Sequence, residues 1–285
     1  MKKKTKKKSR VKHSIVHWNF AKYWDLDQTC RIAKKLGCKS VELIEPPDWP
    51  TLKKHKMDCA IVPSHLFMQG MNNPRYQGAC VEMVKTRIDQ CVDAGFKTVI
   101  TFPGYLEETG PWCGGGIPDL KKLPKKRKVL DQDVALKTAI KGFKKVVGYA
   151  EKKKINLSME ILNTRVTDHP MKGHPGYQGD SIDICMEIIN KVGSPRFGIL
   201  FDVYHVQIMN GDLIRRVQQC GKAINHVHVA GVPGRGELDE EQEVNFPPVI
   251  KAIMKTGYKG YIGYEFIPTR PPLPSLKQAI KLCSV

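Results

Sequence analysis

The sequence predicts an α/β protein built as a single (β/α)8 TIM barrel. Three observations lead there. Short apolar runs of β-type composition alternate with helix-type stretches from residue 14 to the C-terminus. Eight such units follow one another without a shift in composition. The chain has 285 residues, the usual size of one such barrel and large for two compact domains. Strands separated by helices imply parallel pairing through right-handed crossovers, and eight units favour a closed ring over an open sheet.

The elements read in order. The first strand is placed at 14–20, where Ser-Ile-Val-His-Trp-Asn-Phe follows a purely polar stretch. A helix over 26–36 ends at Gly37, and Ser40 to Ile44 forms the second strand. The third runs from Cys59 to Ser64, with His65 just past its end, and a helix covers 74–94. Thr98 to Phe102 is the fourth strand. A long irregular segment, 103–130, then precedes a helix over 131–153 with Asp131 as its N-cap. Asn156 to Leu162 is the fifth strand, followed by a second irregular segment, 163–180, rich in glycine. Helix 181–192, strand 197–203, helix 211–220, strand 224–230, helix 246–256, strand 260–266 and helix 274–283 complete the count. If the barrel is right, both long loops lie on the face formed by the strand C-termini, and loops of that length are usually functional.

The net charge of +19 invites a nucleic-acid reading. Eight of those charges fall in Lys2 to Lys12, before the first apolar run. Residues 1–13 are therefore read as a basic, disordered tail, and 14–285 as the catalytic barrel. No specific nucleic acid is expected. No apolar segment follows the basic N-terminus and no run reaches the length of a membrane helix, so neither a signal nor a membrane partner is expected. Nine scattered cysteines form no Cys-x-x-Cys pair. That pattern suits reduced, mostly buried thiols in a cytoplasmic protein. A homo-oligomer is left open.

Four residues carry the chemistry. Glu160, Asp202, His228 and Glu265 each stand at or near the end of one of the last four strands, once per strand. Strand C-termini converge on one face of a barrel, so three carboxylates and one imidazole are expected to meet there around a divalent metal. An oxygen-rich set with one nitrogen suits Mg²⁺ or Mn²⁺, with Co²⁺ or Zn²⁺ as alternates. A cation so held would act as a Lewis acid on a substrate carbonyl or hydroxyl. Two of the carboxylates would be left in position to move protons. His65, His205, Arg235, Asn163 and Arg165 are the candidate substrate-binding residues, because each follows a strand end, and an arginine fork suits a carboxylate. His169 and His174 are read as loop residues without a role.

At these residues the chain resembles the hydroxypyruvate isomerase family within the xylose isomerase-like barrel superfamily. The likeness is carried by Glu160-Ile-Leu-Asn-Thr-Arg, Phe201-Asp-Val-Tyr-His-Val-Gln-Ile-Met-Asn-Gly-Asp-Leu, His226-Val-His-Val-Ala-Gly-Val-Pro-Gly-Arg, Glu237, Asp239, Glu243, Asn245 and Gly263-Tyr-Glu-Phe. It implies that Glu160 and Glu265 are the acid/base pair and that Asp202 and His228 complete the metal shell. It further implies, through the related ketose 3-epimerases, contacts from His205 and Arg235 to substrate. Two departures stand out. Some members carry glutamine where this chain has His228, and tagatose-type epimerases carry an acidic residue where it has Val166.

The expected activity is isomerisation of a small hydroxy keto acid or ketose through a cis-enediolate, hydroxypyruvate to tartronate semialdehyde first. A ketose or sugar-acid epimerase or isomerase is the alternative on the same residues. An endonuclease IV-like nuclease would need further histidines and an Asp-x-His pair, where this chain reads Gly234-Arg-Gly-Glu-Leu-Asp. A barrel that binds ligand without turnover is the fourth reading.

Overall fold

The computed structural model describes residues 11–119, 121, 123, 125–168 and 172–285. Most of the basic tail, and His169, therefore lie outside the described residues. Seven strands form one parallel sheet: β1 (Lys12–Val16), β2 (Ser40–Glu42), β3 (Thr98–Thr101), β4 (Asn156–Glu160), β5 (Phe197–Asp202), β6 (Ile224–Val229) and β7 (Tyr261–Tyr264). Their order is β2-β1-β7-β6-β5-β4-β3.

The expected third strand, Cys59 to Ser64, does not form as a regular strand. The segment around 58–62 nevertheless lies between the two sheet edges and bonds to both. Val41 N–H donates to the Asp58 carbonyl (3.1 Å) and Leu43 N–H to that of Ile61 (3.0 Å). On the other side Val62 N–H donates to the Thr98 carbonyl and Ile100 N–H to that of Val62, both at 2.9 Å. The ring is closed by single bridges. Local chemistry explains why. Ala60 N–H is taken by the Ser40 hydroxyl (2.8 Å), Pro63 has no N–H to give, and Leu43, at φ 58°, turns β2 aside directly after Glu42.

The helices are α1 (Leu26–Lys35), α2 (Trp49–His55), α3 (Pro74–Ala94), α4 (Gln132–Lys153), α5 (Ile182–Val192), α6 (Val203–Met209), α7 (Leu213–Cys220), α8 (Phe246–Lys255) and α9 (Pro272–Cys283). The short α2 and α6 were not expected from the sequence. Start signals behave as the sequence suggests. Asp131 caps α4 by accepting from the Asp133 and Val134 amides, and Asp25 forms a capping box with Gln28 on α1. On α5, Ile182, Cys185, Ile188 and Ile189 share the buried face, and each isoleucine so buried stabilises by roughly 1.5–3 kcal/mol. Outward-facing strand residues such as Ile15, Val41, Val99, Leu157, Val227 and Ile262 meet these helices in one core.

β1 begins at Lys12 and stops at Val16, giving way to a 3-10 turn over His17–Asn19. Trp18 therefore stands on a loop at the barrel mouth. The described parts of the two long irregular segments are tied together by a bridge between Tyr105 and Tyr177. All nine cysteines are free and eight are buried. Among the described residues, no helix is long and apolar enough to cross a membrane.

Candidate metal centre

Ladder register brings the four candidate ligands to one level. Asp202 pairs with His228, and His228 pairs with Gly263, two residues before Glu265. Glu160 ends β4 opposite Leu200. Strand side chains alternate between faces, so these positions share the interior of the ring. Each of Glu160, Asp202, His228 and Glu265 offers one ligand atom, and the four atoms lie within 4.8 Å of one another. All four side chains are buried.

Their neighbours set the electrostatics. His228 Nδ1 is 2.7 Å from Glu265 Oε2 and 3.6 Å from Glu160 Oε1. Arg235 Nη2 donates to Glu265 Oε2 (2.8 Å) and stands 3.5 Å from Asp202 Oδ2. Its guanidinium lies between the Trp18 ring (5.6 Å) and the Tyr204 ring (5.5 Å). A tight turn with Arg235 itself at φ 56° delivers it there. The Trp18 indole N–H donates to Glu265 Oε1 (3.0 Å).

Burial pushes the Glu160 carboxyl up to about 7, and the nearby charges of Glu265 and Asp202 reinforce this against a hydrogen bond with His228. Burial likewise raises Asp202 to about 6, with Arg235 opposing. Burial would raise Glu265 too, but His228, Arg235 and the Trp18 N–H hold it well below the usual carboxylate range. The two glutamates thus face the same space with opposite proton affinities.

One atom turned toward this space, Asp202 Oδ2, is buried without a hydrogen-bond partner. Such atoms are rare and costly unless something else meets them. Three crowded carboxylates and an imidazole nitrogen suit a divalent cation, which would offset their mutual repulsion. The residues present fit a metal.

The remaining candidates divide. His205 is fully buried. Its Nδ1 accepts from the Asn163 amide (2.9 Å), which leaves the ring hydrogen on Nε2, 3.7 Å from Asp202 Oδ2. Asn163 also holds its own loop, accepting from Val166 N–H (3.0 Å) and donating to the Lys172 carbonyl (2.6 Å). His65 lines the pocket, yet its Nε2 is on the Thr101 hydroxyl (2.9 Å) and its Nδ1 faces the Leu66 and Gln69 carbonyls (both 3.2 Å). Arg165 is not brought to the pocket. It is exposed and donates to the Ile208 carbonyl (2.8 Å).

Above the ligands lies a cavity of about 350 Å³, with Trp18, Phe67, Phe102, His174, Arg235 and Glu265 in its lining. His174 is not a solvent-facing loop residue. It is buried, its ring centroid 4.3 Å from that of Phe67 and 5.9 Å from that of His205. Trp18 and Glu42 were also overlooked. Glu42, at the end of β2, accepts from His228 Nε2 (3.0 Å) and His226 Nε2 (3.2 Å). The one available signal for Glu42 was its alternation with Ser40 in a short strand.

A family model described as a xylose isomerase-like TIM barrel matches residues 30–284. A Homo sapiens protein provisionally named a hydroxypyruvate isomerase is 38% identical over 110 residues, 39% of this chain and 38% of its own length. A 2-oxo-tetronate isomerase of Cupriavidus necator is 33% identical over 114 residues, 40% of this chain and 41% of its own. The chain thus spans about two fifths of the length of these curated relatives. A crystal structure titled as an AP endonuclease, family 2, from Brucella melitensis superposes with a TM-score of 0.74 over 93% of this chain and 96% of that one. At 22% identity it shares the fold.

Proposed function

Because this chain belongs to the xylose isomerase-like TIM barrel family, we propose that its C-terminal mouth is the active site of a metal-assisted isomerase. The substrate is a small α-hydroxy carbonyl compound, hydroxypyruvate in the first instance. One observation carries the reading: four ligand atoms from β4, β5, β6 and the end of β7 lie within 4.8 Å at the floor of a cavity that Glu160 and Glu265 also line.

A divalent cation on Glu160, Asp202, His228 and Glu265, Mg²⁺ or Mn²⁺ by ligand type, would supply Lewis-acid polarisation of the carbonyl and adjacent hydroxyl. Of the two acid/base residues, Glu265 is held ionised by Arg235 and His228, so it is the one able to accept a proton from C3 of hydroxypyruvate. The product of that step is an enediolate. The C3 hydroxyl loses its proton as the C2 oxygen gains one, and a proton delivered to C2 completes tartronate semialdehyde. Glu160, which lines the same cavity from a different strand, suits the delivery. Arg235 and His174 line the same cavity and would orient the carboxylate. The Trp18 and Phe67 rings would exclude water from the reacting carbons.

The second reading, isomerisation of 2-oxo-tetronate or epimerisation of a ketose, uses the same groups, and the name of the Cupriavidus relative favours the first of these. A three-metal nuclease is disfavoured. Among the described residues, His65 and His205 join no ligand group. The test is a panel of hydroxypyruvate, 2-oxo-tetronate and ketoses assayed with Mn²⁺. Turnover of the acids, lost on chelation and restored by about one Mn²⁺ per chain, is expected. Metal-loaded protein that turns over no member of the panel would overturn the reading.

A further inference from the structure

We infer that Glu42 is a positioning residue for the metal centre, fixing through one hydrogen bond which nitrogen of His228 is left for a cation. The inference rests on the metal reading above and concerns a residue that the sequence motifs do not single out.

Glu42 is fully buried, on β2, and does not join the four-ligand group. Its Oε1 lies 3.0 Å from His228 Nε2 and 3.2 Å from His226 Nε2. A carboxylate can only accept, so Nε2 of His228 carries hydrogen. The ring's other nitrogen, Nδ1, is the one turned toward Glu265 (2.7 Å) and Glu160 (3.6 Å). An imidazole anchored on one nitrogen by a carboxylate presents the other as a better-oriented and more basic ligand.

The surroundings are shaped for this contact. A Cβ on Gly263 would stand 2.0 Å from Glu42 Oε1 and 2.7 Å from His228 Cδ2, so only glycine lets the carboxylate cross β7 to reach the ring. The second oxygen, Oε2, has no hydrogen-bond partner, so the two imidazoles are what hold the side chain in place. Glu42, His226 and His228 could themselves be taken for a second cation site. That assignment would require a lone pair on His228 Nε2, where the carboxylate already demands a hydrogen. The trio is a hydrogen-bonded strut reaching inward from the metal centre along the barrel interior.

The experiment is Mn²⁺ titration calorimetry on the full chain and on Glu42→Gln and Glu42→Leu, with circular dichroism to verify folding. Loss of such an outer partner typically weakens metal binding ~10–100-fold. Glu42→Gln, whose carbonyl still accepts, should lose less than Glu42→Leu, a graded order that mere space-filling would not give. If Glu42→Leu does not fold, Glu42→Gln decides alone, at the lower end of that range. Folded variants that bind Mn²⁺ within about twofold of wild type would overturn the inference while leaving the metal centre intact. Wild-type protein that takes up no Mn²⁺ would instead overturn the metal reading beneath it.

Discussion

The two mouths of the barrel differ in the opposite sense to their size. The N-terminal mouth holds the larger cavity, about 600 Å³, lined by Lys12, Lys97, Lys222 and Lys259 among others. The C-terminal cavity is about 350 Å³. At the larger one, polar groups are satisfied within the protein. The Tyr261 hydroxyl donates to Asp58 (2.9 Å), that of Tyr258 to the Tyr261 carbonyl (2.6 Å), and Asn225 to the Leu157 carbonyl (3.0 Å). The four ammonium groups are exposed to water. At the smaller one, three buried carboxylates crowd together and Asp202 Oδ2 lacks a hydrogen-bond partner. Unmet electrostatic demand, more than volume, marks where a ligand belongs.

The comparison breaks most sharply at the acid/base pair. Glu160→Gln or Glu265→Gln should cut turnover by ~10²–10⁴-fold in a steady-state assay, the usual worth of a positioned acid or base. Wild-type rates in either variant would remove the distinction between the mouths.

A smaller effect is expected from Gly263→Ala. Its new methyl has no room against Glu42 and His228. Overpacking of this kind costs ~1–3 kcal/mol, read as a lower thermal midpoint. A variant as stable as wild type would mean that Glu42 can step aside freely.

Acid should weaken the fold at both ends through buried neutral histidines. Burial depresses His65, near the C-terminal mouth, and His13, stacked on Tyr264, each to about 4. The unfolded chain binds these protons first, near pH 6.5. Stability is therefore fully present above that pH and drains away as pH falls from 6.5 through 4, by ~1.4 kcal/mol per histidine at pH 5.5. Glu160 and Asp202, raised by burial, contribute with the opposite sign, so the measure is the difference in slope between wild type and His13→Gln in denaturant titrations between pH 7 and 5, the variant losing less stability on acidification. An unchanged slope in that variant would show that His13 protonates without cost.

The smallest effect is expected at the N-terminal mouth. Lys97→Glu together with Lys222→Glu should change kcat/KM by less than about twofold, since exposed lysines act through screened solvent. A large loss would mean that the bigger cavity takes part in the reaction.

Much of this was legible from sequence, for definite reasons. Asp202 closes β5 and His228 stands one residue before the end of β6, both six-residue strands of strong β character, so their place at the mouth followed from strand direction. Glu265 was legible from Ile262-Gly-Tyr-Glu for the same reason. Glu42 was hidden because β2 is three residues long, and a glutamate beside Leu43 resembles any strand-end acid. The irregular third strand was hidden because its ladder is interrupted by the Ser40 hydroxyl, a contact made across 20 residues. Trp18 reads as a strand residue because apolar composition continues past Val16, while the backbone turns there. His174 was hidden because a glycine-rich segment suggests mobility. Its amide is in fact held by the Asn163 carbonyl (2.7 Å), a tether invisible to composition.

Trp18 has one more use. Its indole touches Glu265 through nitrogen and Arg235 through its face, so any cation or substrate that rearranges those charges must alter the light this ring emits. The protein therefore carries its own fluorescent gauge at the doorway, and occupancy can be followed without labels or a coupled assay.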